Sequence, residues 1–66
     1  MRVVVNDEHR EVPEPATVED LIKHLGLAGQ ACAVEVNKRL VPKREHGATG
    51  LKDEDRVEIV TLVGGG

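Results

Sequence analysis

The chain has 66 residues, a formal net charge of −3 at pH 7 and no phenylalanine, tyrosine or tryptophan. A chain of this length forms one domain that buries only about 60% of its unfolded surface, so its core is small and aliphatic. The acidic balance and the lack of aromatic residues argue against a nucleic-acid partner, because phosphate binding needs a basic face.

The sequence carries no export or membrane signal. No apolar run approaches the roughly 20 residues that cross a bilayer, and the first residues turn polar too soon for a signal peptide. The single Cys32 cannot form an internal disulfide, which agrees with a reducing compartment. We therefore expect a cytoplasmic protein without membrane contact.

Residues 2–6 form a valine-rich segment, which predicts a strand with Val3 and Val5 on one face. The following Asn6-Asp7-Glu8 predicts a turn, because Asn and Asp tolerate positive φ. A second short strand over residues 9–12 completes a predicted hairpin. The prolines after it end the strand, because proline donates no ladder hydrogen bond.

Thr17 is the predicted N-cap of the one helix that the sequence indicates, with Asp20 in the place of the capping-box acid. Apolar residues at i, i+3, i+4 and i+7 give this helix one apolar stripe. Its members are Val18, Leu21, Ile22 and Leu25. Gly26 is the expected C-terminal stop.

Residues 32–37 alternate between apolar and polar, which predicts a strand with one buried face. Cys32 falls on the apolar side, so we expect a buried, inert thiol rather than a nucleophile. A turn over Asn37-Lys38-Arg39 leads to a short strand at 40–41. Residues 43–50 are polar and are predicted as a loop without a second helix.

Leu51 is expected to fill the core from that loop, and residues 56–63 predict the last strand. The predicted order gives an α+β domain with a mixed sheet of four to five strands, one main helix packed across it, and the last strand beside the first. We expect the domain over residues 1–63 and a flexible glycine tail over residues 64–66.

Chemistry-bearing motifs are scarce. His9, His24 and His46 lack the short spacing of a zinc site, and there is no phosphate-binding loop and no catalytic triad. We therefore expect no bound metal or cofactor and no enzymatic activity of the chain by itself. An acidic cluster before the tail predicts either a solvated turn or a surface that steers a basic partner. It comprises Asp53, Glu54, Asp55 and Glu58.

The tail is the main functional candidate, although a frayed end is the plain alternative. Glycine lacks Cβ, so the tail is thin, and four residues extend roughly 13–14 Å, enough to enter a partner's narrow pocket. The Gly66 carboxylate is ionised at neutral pH and is a poor acyl donor unless a partner activates it, for instance as an adenylate. Sulfur could then displace AMP to leave a thiocarboxylate.

Across the whole chain these segments resemble the sulfur carrier family of thiamine biosynthesis, ThiS, which has a ubiquitin-like β-grasp fold. Asp7 and Glu54 stand where the family's turns carry glycine, and His46 stands where many relatives have tryptophan. The matching segments are Asn6-Asp7-Glu8, Thr17-Val18-Glu19-Asp20-Leu21, Ala33-Val34-Glu35-Val36-Asn37, Val41-Pro42-Lys43, 51–60 and Val63-Gly64-Gly65-Gly66.

The resemblance implies that an E1-like adenylyltransferase, ThiF, activates Gly66 with ATP and Mg²⁺. A cysteine desulfurase supplies sulfur, and thiazole synthase, ThiG, consumes it. Gly65 and Gly64 would form the slender approach, Val63 and Leu62 would help dock the strand end, and the free carrier would be a monomer. A molybdopterin synthase small subunit (MoaD-like), a ubiquitin-like protein modifier and a plain interaction module remain alternatives.

Overall fold

The computed structural model of the chain describes residues 1–62. The predicted order of elements is confirmed, and the first four strands lie within one residue of their predicted bounds. The elements are β1 Arg2–Val5, β2 Glu8–Glu11, α1 Val18–His24, β3 Cys32–Val36, β4 Arg39–Val41, a 3₁₀ helix Lys43–Glu45 and β5 Arg56–Thr61.

The strands form one five-stranded sheet in the order β2-β1-β5-β3-β4. β5 lies at the centre, parallel to β1 and antiparallel to β3, so the sheet is mixed as predicted. Both hairpins are antiparallel and sit at the two sides of β5. This topology is the β-grasp arrangement that the resemblance implied.

Helix α1 begins as its sequence predicts. The Asp20 N–H donates to Thr17 Oγ1 at 3.2 Å, and the Thr17 N–H donates to Asp20 Oδ2 at 2.9 Å, which completes a capping box. Gly26, just past the helix, has φ +76°, a value that glycine adopts without strain. Within residues 1–62, no helix has the length and apolar character that crossing a membrane requires.

The core lies between α1 and one face of the sheet. Val3, Val18, Leu21 and Val34 are fully buried there, and Leu51 fills the core from its loop as predicted. Val4, which alternation places on the opposite face, is also buried, with only 8% of its surface exposed. Its cross-strand neighbours on that face are His9 and Arg56, whose large side chains can cover it, so alternation alone underestimates burial there.

The prediction that residues 43–50 contain no helix is wrong. Pro42 has φ −59°, and its carbonyl accepts from the Glu45 N–H at 2.8 Å, which forms the short 3₁₀ helix. The segment then packs on α1, since the His46 carbonyl accepts from the Glu19 N–H at 3.0 Å. The sequence signal was weak because a single 3₁₀ turn has no apolar periodicity.

The capping box makes a testable prediction. Its two hydrogen bonds with Thr17 hold the pKa of Asp20 below its usual value of 3.8. A depressed folded pKa contributes stability above the unfolded pKa, and that contribution is lost as pH falls through the folded pKa. Urea denaturation at several pH values should therefore show a shallower acid loss in Asp20→Asn than in the unchanged protein.

Two variants at the cap control this measurement. Thr17→Ser keeps the capping oxygen and should preserve the stability and its acid dependence. Thr17→Ala removes the oxygen and should cost about 1 kcal/mol at neutral pH. An acid dependence that is identical in Asp20→Asn and in the unchanged protein would contradict the capping assignment.

Candidate functional site

The candidate site is the end of β5, where the chain leaves the sheet. Thr61 pairs with Cys32 of β3, and the Leu62 N–H donates to the Ala31 carbonyl at 2.9 Å, so the ladder continues to the last described residue. The predicted tail residues lie outside the described residues. They are Val63, Gly64, Gly65 and Gly66.

Asn6 fixes β5 from the side of β1. The Ile59 N–H donates to Asn6 Oδ1 at 2.8 Å, and Asn6 Nδ2 donates to the Ile59 carbonyl at 3.1 Å. The asparagine side chain thus makes two hydrogen bonds that another strand residue would otherwise supply. Asn6 and Asp7 have φ 49° and 68°, the two positive values of a two-residue type I′ hairpin turn.

Asn37 binds the first residue of β5 in a similar way. The Arg56 N–H donates to Asn37 Oδ1 at 3.0 Å, and Asn37 Nδ2 donates to Asp55 Oδ1 at 3.0 Å. Asn37 and Lys38 have φ 51° and 69°, so this turn is also of type I′. Both hairpins therefore contact β5 through the side chain of a turn asparagine.

The four residues of the acidic cluster fall into two groups: three form the turn before β5, and Glu58 lies within β5. Asp53 Oδ1 accepts from the Arg2 N–H at 2.7 Å, and Glu54 pairs with the Arg2 guanidinium at 2.8 Å, which raises the pKa of Arg2. Asp55 accepts from Asn37 and from the Lys52 N–H. These three acids form a structured turn, in which Glu54 adopts φ 68°.

Glu58, the fourth acid, belongs to a different surface. It lies directly opposite Glu35 across the β5–β3 pair, on the face of the sheet away from α1. Around this pair are the large exposed apolar side chains of the described chain, Leu40 at 68%, Val60 at 59% and Leu62 at 53% exposure. We call these five residues the outer patch. Of these five residues, sequence reasoning assigned Leu62 to docking and Glu58 to either a solvated turn or a surface that steers a basic partner. It missed Glu35, Leu40 and Val60, because the pairing of distant strands is not visible locally.

Cys32 is less buried than the sequence predicts. Its side chain is only half-buried, and Sγ lies 3.6 Å from the Gln30 carbonyl. It lines a cavity of about 130 Å³ together with His46, a residue that is 7% exposed and has Nε2 3.1 Å from the Val41 carbonyl. Residues 1–62 contain no group of three or more His, Cys, Asp or Glu residues arranged to hold a metal ion.

The fold and its exit strand define a small ubiquitin-like β-grasp domain. A family model described as the ThiS family matches residues 1–66, so the chain belongs to the ThiS family. The crystal structure of the thiamine biosynthesis protein (ThiS) from Geobacter metallireducens superposes with a TM-score of 0.82 at 34% identity, and the match covers 100% of both chains.

Two curated relatives extend the comparison. The sulfur carrier protein ThiS of Bacillus subtilis is 36% identical over 53 residues, which are 80% of each chain. A thiazole synthase of Paramagnetospirillum magneticum is 39% identical over 66 residues, all of this chain. The chain spans only 20% of the length of that thiazole synthase.

Replacing Asn6 tests the anchoring of β5. Asn6→Gly keeps the positive φ accessible and removes both hydrogen bonds to Ile59, so we expect a loss of about 1–2 kcal/mol in the free energy of unfolding. Asn6→Ala should lose about 1 kcal/mol more, because alanine disfavours positive φ. Urea denaturation measures both losses.

The matched control is Asp7→Gly in the same turn. Asp7 has a positive φ too, but its side chain makes only an exposed ion pair with Arg56 at 4.0 Å. This variant should be as stable as the unchanged protein, or more so. Equal stabilities for Asn6→Gly and Asp7→Gly would show that the two hydrogen bonds to Ile59 contribute nothing.

Proposed function

We propose that the chain is a sulfur carrier in thiamine biosynthesis and that the Gly66 carboxylate carries the sulfur. The observation that carries the proposal is the match of the whole chain to the ThiS family. The Bacillus subtilis relative with the name sulfur carrier protein ThiS supports it. A tail of three glycines supports the choice of Gly66, since no side chain obstructs the approach to its carboxylate.

The proposed chemistry has two steps. A carboxylate oxygen of Gly66 attacks the α-phosphorus of ATP, which forms an acyl-adenylate and releases pyrophosphate. The persulfide of a cysteine desulfurase supplies the sulfur, and a thiol reductant releases it as hydrosulfide and is itself oxidised to a disulfide. Hydrosulfide then attacks the carbonyl carbon, the bond to the AMP oxygen breaks, and a thiocarboxylate remains. ATP and Mg²⁺ are bound by the E1-like partner ThiF, so this chain acts as a co-substrate and not as the enzyme.

The fold fixes the position of β5, the strand that precedes the tail. β5 is hydrogen-bonded on the β3 side as far as Leu62 and on the β1 side as far as Ile59, and its inward residues Val57 and Ile59 are buried. Four residues beyond Leu62 extend at most roughly 13–14 Å. A partner that holds the sheet therefore restricts the volume that the terminal carboxylate reaches, which favours its reaction with a bound nucleotide.

Thiazole synthase, ThiG, is the proposed acceptor of the sulfur. The thiazole synthase of Paramagnetospirillum magneticum is about five times as long as this chain and includes a segment that matches all of it. A second thiazole synthase, from Magnetococcus marinus, shows the same relation at 36% identity. In these relatives a segment similar to this chain and the rest of the thiazole synthase share one polypeptide. This supports a thiazole synthase as the partner of the separate carrier.

The mass of the protein tests the proposal. The purified chain, incubated with the E1-like adenylyltransferase, ATP, Mg²⁺, a cysteine desulfurase, cysteine and a thiol reductant, should gain the mass difference of sulfur for oxygen at its last residue. Deletion of Gly66 or Gly65→Val should abolish the gain and leave the thermal midpoint unchanged, because the hydrophobic core of the described chain is built from residues within 1–62. A large fall in the midpoint would contradict this separation of tail and fold.

Cys32 provides the matched control for sulfur attachment. Cys32→Ala should load sulfur as the unchanged protein does, because the proposal places the sulfur on the carboxylate. A mass gain that disappears in Cys32→Ala and persists in the Gly66 deletion would assign the sulfur to the thiol instead. Rescue of thiamine-requiring cells, compared with rescue of molybdoenzyme activity, separates the two carrier pathways.

A further inference from the structure

We infer that the cavity beside Cys32 is a binding site for the terminal carboxylate of the chain's own tail, with Lys23 and Lys43 as its cationic contacts. The inference rests on the proposed function for one point, that Gly66 carries a free carboxylate. A thiocarboxylate has the same charge, so the site would hold the tail, and shield its end from water, before and after sulfur loading.

The cavity begins beside the last described residue of the chain. The Leu62 N–H donates to the Ala31 carbonyl at 2.9 Å. The residues before and after this alanine, Gln30 and Cys32, both line the cavity. Cys32 also pairs in register with Thr61 of β5. The tail therefore leaves the sheet about one strand spacing, roughly 4.8 Å, from the cavity wall.

The tail is long enough to reach the lysines. Four residues follow Leu62 and extend at most roughly 13–14 Å. β3 alone separates β5 from β4, and Lys43 begins the 3₁₀ helix that follows β4. Two strand spacings are roughly 10 Å, and the lysine side chain shortens the gap further. The terminal carboxylate can therefore meet the ammonium group of Lys43 inside the cavity.

The charges that line the cavity favour one anion. Lys23 and Lys43 contribute two positive charges and Glu19 contributes one negative charge, which leaves an excess of one positive charge. Neither lysine forms an ion pair with another of residues 1–62. A terminal carboxylate carries one negative charge at neutral pH and so balances this excess.

Other cavities of the described chain lack such an excess. The nearest rival lies on the β1 side of β5, is lined by Thr61 and is equally close to the tail. Its one cation, Arg10, already pairs with Glu8 at 3.6 Å. Two further cavities, one against α1 and one beside β4, are lined by equal numbers of acidic residues and of lysine or arginine residues. Charge therefore selects the cavity beside Cys32.

The size of the cavity suits a glycine chain end. Its volume of about 130 Å³ is far above the ~10–15 Å³ that admit one water molecule, so a carboxylate and the glycine behind it have room. His46 forms a fixed wall, because it is 7% exposed and its Nε2–H donates to the Val41 carbonyl at 3.1 Å. A free anion competes poorly with the tail, since a tethered group has an effective concentration in the millimolar range.

The reactivity of Cys32 reports whether the tail occupies the cavity. At low salt, neutral iodoacetamide should alkylate Cys32 about twofold faster in a chain without residues 64–66 than in the unchanged protein, because the tail no longer covers the thiol. In the background Lys23→Gln/Lys43→Gln, the same deletion should leave the rate unchanged. Taking the ratio within each background cancels any direct effect of the lysines on the thiol.

The matched control is Arg10→Gln, which removes the cation of the rival cavity. In this background the deletion should still raise the rate about twofold. A semisynthetic chain that ends in a Gly66 carboxamide keeps the length of the tail without its charge, and it should react as fast as the deletion. Equal rates with and without the tail, or a twofold increase that survives loss of both lysines, would overturn the inference.

Carbodiimide coupling maps the contact. The reagent should join the Gly66 carboxylate to an amine of the same chain with loss of one water, and peptide mapping should place the new amide at Lys23 or Lys43. Coupling chiefly to Lys38 or Lys52, which do not line this cavity, would contradict the assignment.

Both measurements use the purified chain without its partners, so they separate this inference from the proposed function. Failure of sulfur loading would refute the proposed function and leave the alkylation ratio and the cross-link intact. Equal alkylation rates with and without the tail, in a chain that does load sulfur, would overturn only the cavity as the site of the tail.

Discussion

The hydrogen bonds between two turn asparagines and β5 are the constraint on which this fold depends. Asn6 binds both backbone groups of Ile59, and Asn37 binds the N–H of Arg56. Each hairpin is local in sequence, but β5 is more than 50 residues away from β1. The backbone ladders of β1 and β3 with β5 join the two hairpins into one sheet, and the amide side chains add hydrogen bonds to β5 where each hairpin turns.

This arrangement also compensates for a short parallel pairing. The register of β1 with β5 comprises only Val4 with Arg56 and Val5 with Val57. Beyond Val5 the chain turns away, and Asn6 continues the ladder through its backbone N–H to Val57 and its side chain to Ile59. The central strand is thus held along most of its length, which keeps the position of its end well defined.

Local chemistry made the helix and the turns predictable. Thr17, the apolar stripe and Gly26 specify α1, and asparagines that accept positive φ specify both type I′ turns. What the sequence did not reveal depends on contacts between distant segments. The opposition of Glu35 and Glu58 requires the β3–β5 register, and the burial of Val4 requires the side chains that the two adjacent strands place on its face.

The same distinction governs the site. A glycine tail is accessible to any narrow pocket, and without side chains it offers little by which one partner can be distinguished from another. Discrimination between partners must therefore come from the residues before the glycines. On the helix-free face of the sheet, exposed apolar residues surround Glu35 and Glu58, which lie directly opposite each other. Like charges in this arrangement destabilise a sheet, so these two residues do not serve the stability of the fold.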